Sequence, residues 1–121
     1  MTTKTVQNGG VSVAVVNSDT VLIDSVESAL DFMSSVKHET GCDRIAVNKA
    51  AICEEFFILS SGVAGEILQK FINYHMKFAV IGDYSRYTSK PLKAFLYESN
   101  NGRDIFFTKS ESEAVERLSR A

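Results

Sequence analysis

Phe78-Ala79-Val80-Ile81 is an unbroken apolar row that runs directly into Gly82-Asp83. A strand with one wet face alternates apolar and polar side chains. A continuous row instead means a strand covered on both faces, as at the centre of a parallel sheet. Parallel neighbours cannot be joined by a tight turn, so each needs a crossover, usually a helix. The row therefore commits the chain to alternating strands and helices. Ile105-Phe106-Phe107 repeats the pattern as another buried strand, and Arg44 to Val47 supplies a third, short one.

The remaining segments fill in that order. Asn8-Gly9-Gly10, between Lys4–Gln7 and Val11–Val16, predicts an N-terminal hairpin. Val21-Leu22-Ile23 continues or replaces its second strand. Asp24-Ser25-Val26-Glu27 reads as a capping box in which Asp24 accepts from the backbone and Glu27 reaches back. Val26, Leu30, Met33 and Val36 follow at helical spacing, and Gly41 ends that helix. After Ser60-Ser61-Gly62, one stripe carries Val63, Ile67 and Phe71 and its neighbour Ala64, Leu68 and Ile72. A third helix has Pro91 in its first turn and turns Leu92, Phe95 and Leu96 inward. Ser110-Glu111-Ser112-Glu113 is a second capping box, opening a last helix with Ala114, Val115 and Leu118. The expected architecture is one α/β domain over residues 1–121. It has a mixed, mostly parallel sheet, an N-terminal antiparallel strand pair and about four helices.

Composition supports a packed core: 45% of the 121 residues are apolar and 23% charged. Thirteen Lys and Arg stand against 15 Asp and Glu. Arg86, Lys90, Lys93 and Arg103 are diluted by Glu98 and Asp104, so no nucleic-acid partner is expected. No apolar run is long enough to cross a bilayer, so no membrane insertion is expected. No apolar segment backs Met1-Thr2-Thr3-Lys4, no Gly follows Met1 and no Cys lies near Ala121. The expectation is a cytoplasmic protein without a signal peptide or lipid anchor. Cys42 and Cys53 read as reduced, partly buried small residues. His38 and His75 lack metal-ligand spacing, and no cofactor fingerprint is present, so neither a metal nor a cofactor is expected.

Open α/β sheets bind ligands outside the carboxyl ends of their strands. Three loops qualify: Asn48–Ser61, Asp83–Ser89 and Thr108–Ser110. Ser60, Ser61 and Gly62 place two hydroxyls at a helix N-terminus, where free amides and the helix dipole favour an anion. The plainer reading is a serine N-cap with a glycine for tight entrance. Asp83, Tyr84, Ser85 and Arg86 suit a small polar ligand or a protein partner. The plainer reading there is a solvated loop with Asp83 bonded to local backbone. Glu54 and Glu55 read as surface charge, because adjacent carboxylates rarely converge on one bond. Phe56 and Phe57 read as core, as interface anchors or as the lining of an apolar cavity.

The stretch from Phe56 to Ser99 carries a family resemblance. It reads Phe-Phe-Ile-Leu-Ser-Ser-Gly-Val-Ala-Gly-Glu-Ile-Leu-Gln-Lys-Phe, then Lys77-Phe78-Ala79-Val80-Ile81-Gly82-Asp83-Tyr84-Ser85, then Phe95-Leu96-Tyr97-Glu98-Ser99. It resembles a bacterial family of small uncharacterised proteins, domain of unknown function 4180, from about Val21 onward. That family brings no established activity. The element order is also similar to the STAS domains of anti-anti-sigma factors, whose hallmark Asp-Ser-Ser-Gly-Leu-Gly opens their second helix. Leu59-Ser60-Ser61-Gly62-Val63-Ala64 occupies the corresponding place, with Leu59 where the hallmark has Asp. That resemblance implies a STAS-like fold and makes Ser61 the candidate acceptor of a phosphate from a partner kinase. The phosphate would add roughly two negative charges at the helix end.

The function expected from these readings is a binding or regulatory module. It would dock a protein partner or a small anionic ligand on the edge formed by Ser60–Gly62 and Asp83–Arg86, under control of Ser61. Two alternatives stand beside it. One is a small enzyme using Asp83, Ser85, Arg86 and Cys53. The other is a self-associating module burying Phe56, Phe57 and Tyr84 in a homodimer face. No residue is singled out as catalytic.

Overall fold

The structure is a computed structural model describing residues 1–121. Gly9 and Gly10 take φ of 59° and 81°. Positive φ at both central residues is the mirror-image turn whose twist matches a hairpin. It folds β1 (Thr2–Asn8) antiparallel onto β2 (Val11–Asn17), with Asn8 opposite Val11. The strands β3 (Arg44–Asn48), β4 (Lys77–Ile81) and β5 (Ile105–Thr108) then add in parallel. The sheet order is β1-β2-β3-β4-β5, the order of the chain itself.

That order decides where the helices go. Right-handed crossovers that always step the same way place every crossover helix on one face. Ala14, Val16, Ile45, Val47, Phe78, Val80 and Phe107 meet α1 (Val26–Thr40), α2 (Val63–Asn73) and α3 (Lys90–Asn100) in one core. Phe71 of α2 stacks on Phe78 with ring centroids 4.1 Å apart. The alternate residues Val13, Val15, Ala46, Ala79 and Phe106 meet only α4 (Glu111–Arg120), through Ala114, Val115 and Leu118. Small Ala46 and Ala79 let that single helix lie close to the sheet. Both faces of β4 are thus covered, as the unbroken apolar row requires.

Four local expectations change. The α1 cap is Ser25, not Asp24, and its reciprocal partner is Ser28, not Glu27. The inner face of α1 carries Ala29, Phe32, Met33 and Val36, with Val26 and Leu30 at its margin. Asp24 instead accepts from the Ser28 hydroxyl at 2.8 Å. Val21-Leu22-Ile23 stays out of the sheet; Ile23 makes one isolated parallel bridge to Ile52, and the Leu22 and Ile23 amides both donate to the Ala51 carbonyl. Ile72 is 41% exposed, off the inner stripe of α2. At α4, Ser110 accepts from the Glu113 amide, while Glu111 pairs with Lys4 of β1 at 2.9 Å. No helix is long and apolar enough to cross a membrane.

Candidate functional site

Between β3 and α2 the chain descends through three short 3₁₀ turns, Lys49–Ala51, Glu54–Phe57 and Leu59–Ser61. The last ends at Gly62, whose φ of 78° is left-handed, and α2 starts from it without a side-chain cap. Ser60, Ser61 and Gly62 are all exposed. The Ser61 hydroxyl donates to the Glu55 carbonyl at 2.8 Å and accepts from the Val63 amide at 3.2 Å. Ser61 therefore ties the helix start to the preceding turn as well as serving one free amide.

The loop after β4 behaves differently residue by residue. Asp83 accepts from the Ser85 amide at 2.9 Å. That bond, with help from the Ser85 side chain, holds the Asp83 carboxyl below its ordinary range. Tyr84 turns inward against Phe57 and Phe107 and donates its hydroxyl to the Val80 carbonyl at 2.6 Å. Burial pushes its phenol pKa up. Ser85 is exposed, and Arg86 reaches out of the loop with 61% of its side chain accessible.

Arg86 pairs with Glu54, which also accepts from the Tyr87 hydroxyl at 3.2 Å and lies 3.4 Å from Lys49 Nζ. Tyr87 stacks on Phe57 with centroids 5.2 Å apart. The Lys49 ammonium sits 4.9 Å from both ring centroids, and the Arg86 guanidinium lies 5.0 Å from Tyr87. Each contact has cation–π geometry. Gly82 makes this possible, because a Cβ there would stand 2.7 Å from the Cβ of Lys49. Burial alone would raise the Glu54 carboxyl, but Lys49, the Tyr87 hydroxyl and Arg86 outweigh it and hold it below 4.5. The Tyr87 hydroxyl first, and Glu54 with it, push the Arg86 guanidinium further up.

The two segments singled out in the sequence are thus brought together, and Glu54-Glu55 is what joins them. The Glu54 side chain holds Arg86, while the Glu55 carbonyl holds Ser61. Sequence reading missed Glu54, Lys49 and Tyr87. Adjacency of two carboxylates counted against Glu54, yet only the Glu54 carboxylate is used; Glu55 contributes its backbone carbonyl. Tyr84 is partly buried and packs on the core, so less of it is offered to the surface than of Ser85 or Arg86. Phe56 and Phe57, 1% and 4% exposed, belong to the chain's own core, so a homodimer face built on them and Tyr84 is not available. Cys53 is a free thiol within that same core, apart from the Asp83–Arg86 loop's exposed groups.

Ligand crevices in open α/β sheets form where the strand order reverses. Strands β2 to β5 follow one another without reversal, so the carboxyl edge has no such switch point. A cleft of about 530 Å³ lies at the opposite edge among Leu30, Met33, Tyr74 and Met76. A smaller one, about 380 Å³, opens at the carboxyl edge between the starts of α1 and α2, among Ser25, Val26, Val63 and Ile67. No three His, Cys, Asp or Glu side chains group as metal ligands would.

No curated protein and no solved structure matches the chain. The match is to a family defined by sequence alone, and it spans the hairpin turn, every crossover and nearly all of α4. With residues 8–118 matched by its family model, the chain belongs to the family of the domain of unknown function DUF4180.

Proposed function

We propose that the carboxyl edge of the sheet is a protein-docking surface, with Ser61 as its control point. The observation that carries this reading is the bridge through Glu54-Glu55, which makes one surface of Ser60–Gly62 and Asp83–Arg86. Exposed Ile58, at 55%, adds an apolar contact between them. An exposed arginine backed by an aromatic ring is the kind of side chain that anchors a protein partner.

Phosphorylation would act on this bridge directly. Transfer of the γ-phosphoryl group from a nucleoside triphosphate to Ser61 Oγ, by a partner kinase, breaks the bond to the bridging oxygen, leaves the nucleoside diphosphate and releases the hydroxyl proton. The Glu55 carbonyl then loses one of its two donors and keeps the Ile58 amide. The new charge sits at the start of α2, where the helix dipole favours it, and one turn from the carboxylates of Glu54 and Glu55. The similarity of Ser60-Ser61-Gly62 to the STAS hallmark supports the same position.

Native mass spectrometry of the protein purified from its own host tests the reading. The expected result is a co-purifying protein that wild type retains and that Arg86→Glu and Ile58→Asp lose. Its affinity should fall on Ser61→Asp. A partner indifferent to Ser61→Asp removes Ser61 from the account. A partner-free wild type, or one that survives both edge variants, overturns the docking surface.

A further inference from the structure

The two outer strands of the sheet are treated differently. At the β5 edge, the outward amide and carbonyl of Phe107 are both taken by the Asn100 side chain, at 2.7 and 3.1 Å. That strand is also only four residues long. β1, at the other edge, has seven residues, an unbroken register, no proline and no bulge, and its one charged side chain, Lys4, is drawn to Glu111 on the α4 face. Long, regular, unprotected edges are templates for another strand, and proteins usually blunt them.

Which β1 groups are free follows from the turn. In a two-residue hairpin the flanking pair, Asn8 and Val11, is hydrogen-bonded, and bonded and non-bonded pairs alternate from there. Asn8, Val6, Lys4 and Thr2 therefore spend their backbone groups on β2. Thr3, Thr5 and Gln7 aim theirs outward.

We propose that β1 pairs antiparallel with β1 of a second copy, about a two-fold axis at Thr5, giving one continuous sheet across both chains. The register is self-complementary. Thr5 bonds its own counterpart, Thr3 bonds Gln7 and Gln7 bonds Thr3, an isologous contact. Lys4 then stands opposite Val6 rather than opposite another Lys4. Val6 and Gln7 border a cleft of about 490 Å³ between β1 and α4, walled by Glu111 and Glu116. Lys4 points to this α4 face, where it already pairs with Glu111 at 2.9 Å. Lys4 of the second copy would arrive beside Val6, near Glu111; Arg120 lines the same cleft and pairs with Glu116 at 3.2 Å, so the incoming Lys4 shares Glu111 with this chain's own Lys4. The self-complementary register, which keeps the two Lys4 side chains from standing opposite each other, thus favours a second copy over an unrelated strand. Strand pairing buries less than a standard interface, so an association near the micromolar range is expected.

Sedimentation across a wide concentration range, with Thr5→Pro as the variant, tests this. Proline at Thr5 removes an outward N–H that the fold does not use, and edge strands accept proline at such positions. The expected result is a wild-type monomer–dimer equilibrium that Thr5→Pro weakens about tenfold or more, from two lost hydrogen bonds. Lys4→Glu should weaken it several-fold. Amide exchange on the wild type gives a readout that does not depend on the variant folding. Thr3, Thr5 and Gln7 amides should exchange freely when dilute and become protected as the dimer forms. A monomer at every concentration overturns the proposal. So does a dimer indifferent to Thr5→Pro, or one that leaves those three amides unprotected.

Discussion

Helices α1 and α2 both start beside the carboxyl edge, each next to a serine, and the two serines are used in opposite ways. Ser25 of α1 is extended, its hydroxyl accepts from the Ser28 amide at 3.1 Å, and its own amide donates to the Ser28 hydroxyl at 3.0 Å. Everything stays within one turn. At α2 the cap position is Gly62, which has no side chain to offer, and Ser61 reaches back six positions to the Glu55 carbonyl. A cap closed on itself stabilises its helix and nothing else. A serine that serves its helix start and also reaches back to an earlier turn ties together segments that could otherwise move apart. Departures from local rules of this kind gather at functional positions.

The largest expected effect is on the segment leading to α2. Gly82→Ala sets a methyl 2.7 Å from the Lys49 stem, and neither is a flexible chain end. It should cost about 1–3 kcal/mol in denaturant unfolding and displace Lys49 from between Phe57 and Tyr87. A neutral result would mean that this close approach is absent in solution. Gly62→Ala comes next, because a φ of 78° costs an L-residue about 1–2 kcal/mol. Ser25→Gly at the α1 cap should cost only a few tenths by contrast. Comparable losses for those two would erase the distinction between the starts.

Ser25→Ala and Ser61→Ala should each cost about 1 kcal/mol, one for a cap and the other for hydrogen bonds. Hydrogen exchange separates them. Ser25→Ala should speed exchange only in the first turn of α1, whereas Ser61→Ala should speed it from Glu54 to Ile58. The same exchange map for both would make Ser61 an ordinary cap.

The smallest effect is one of pH. The Glu54 carboxyl titrates below 4.5 in the folded chain. Its contribution is fully present above the unfolded pKa and is lost as pH falls through the lowered folded value. The carboxylate is exposed and its pairs are screened, so a few tenths of a kcal/mol is the ceiling. Acid unfolding of Glu54→Gln should be slightly less steep than that of wild type. Identical curves would show that Lys49, Tyr87 and Arg86 contribute nothing through Glu54.

Much of the fold was legible because its signals are local. The row Phe78–Ile81, the glycine pair after Asn8 and the glycine after α1 each act within a few residues. The cap of α1 was misread by one position because Asp24 and Ser25 are equally good caps; the reciprocal bond with Ser28 is made by Ser25. Half of the candidate edge was legible in the same way, since hydroxyls before a glycine and an Asp at a strand end are local cues. Lys49, Glu54 and Tyr87 left no such trace.

From the sequence alone came the alternation of strands and helices, the two-sided burial of the central strands and the two loops worth examining. Hydrophobic period and turn chemistry are properties of neighbours in the chain, so they can be read there. Tertiary structure alone decided that the strands follow one another without reversal, which leaves the carboxyl edge without a switch-point crevice and β1 open. It also decided that Glu54 meets Arg86, 32 positions away, while its neighbour's carbonyl meets Ser61. Such meetings depend on how whole elements stack, and no short-range pattern encodes them.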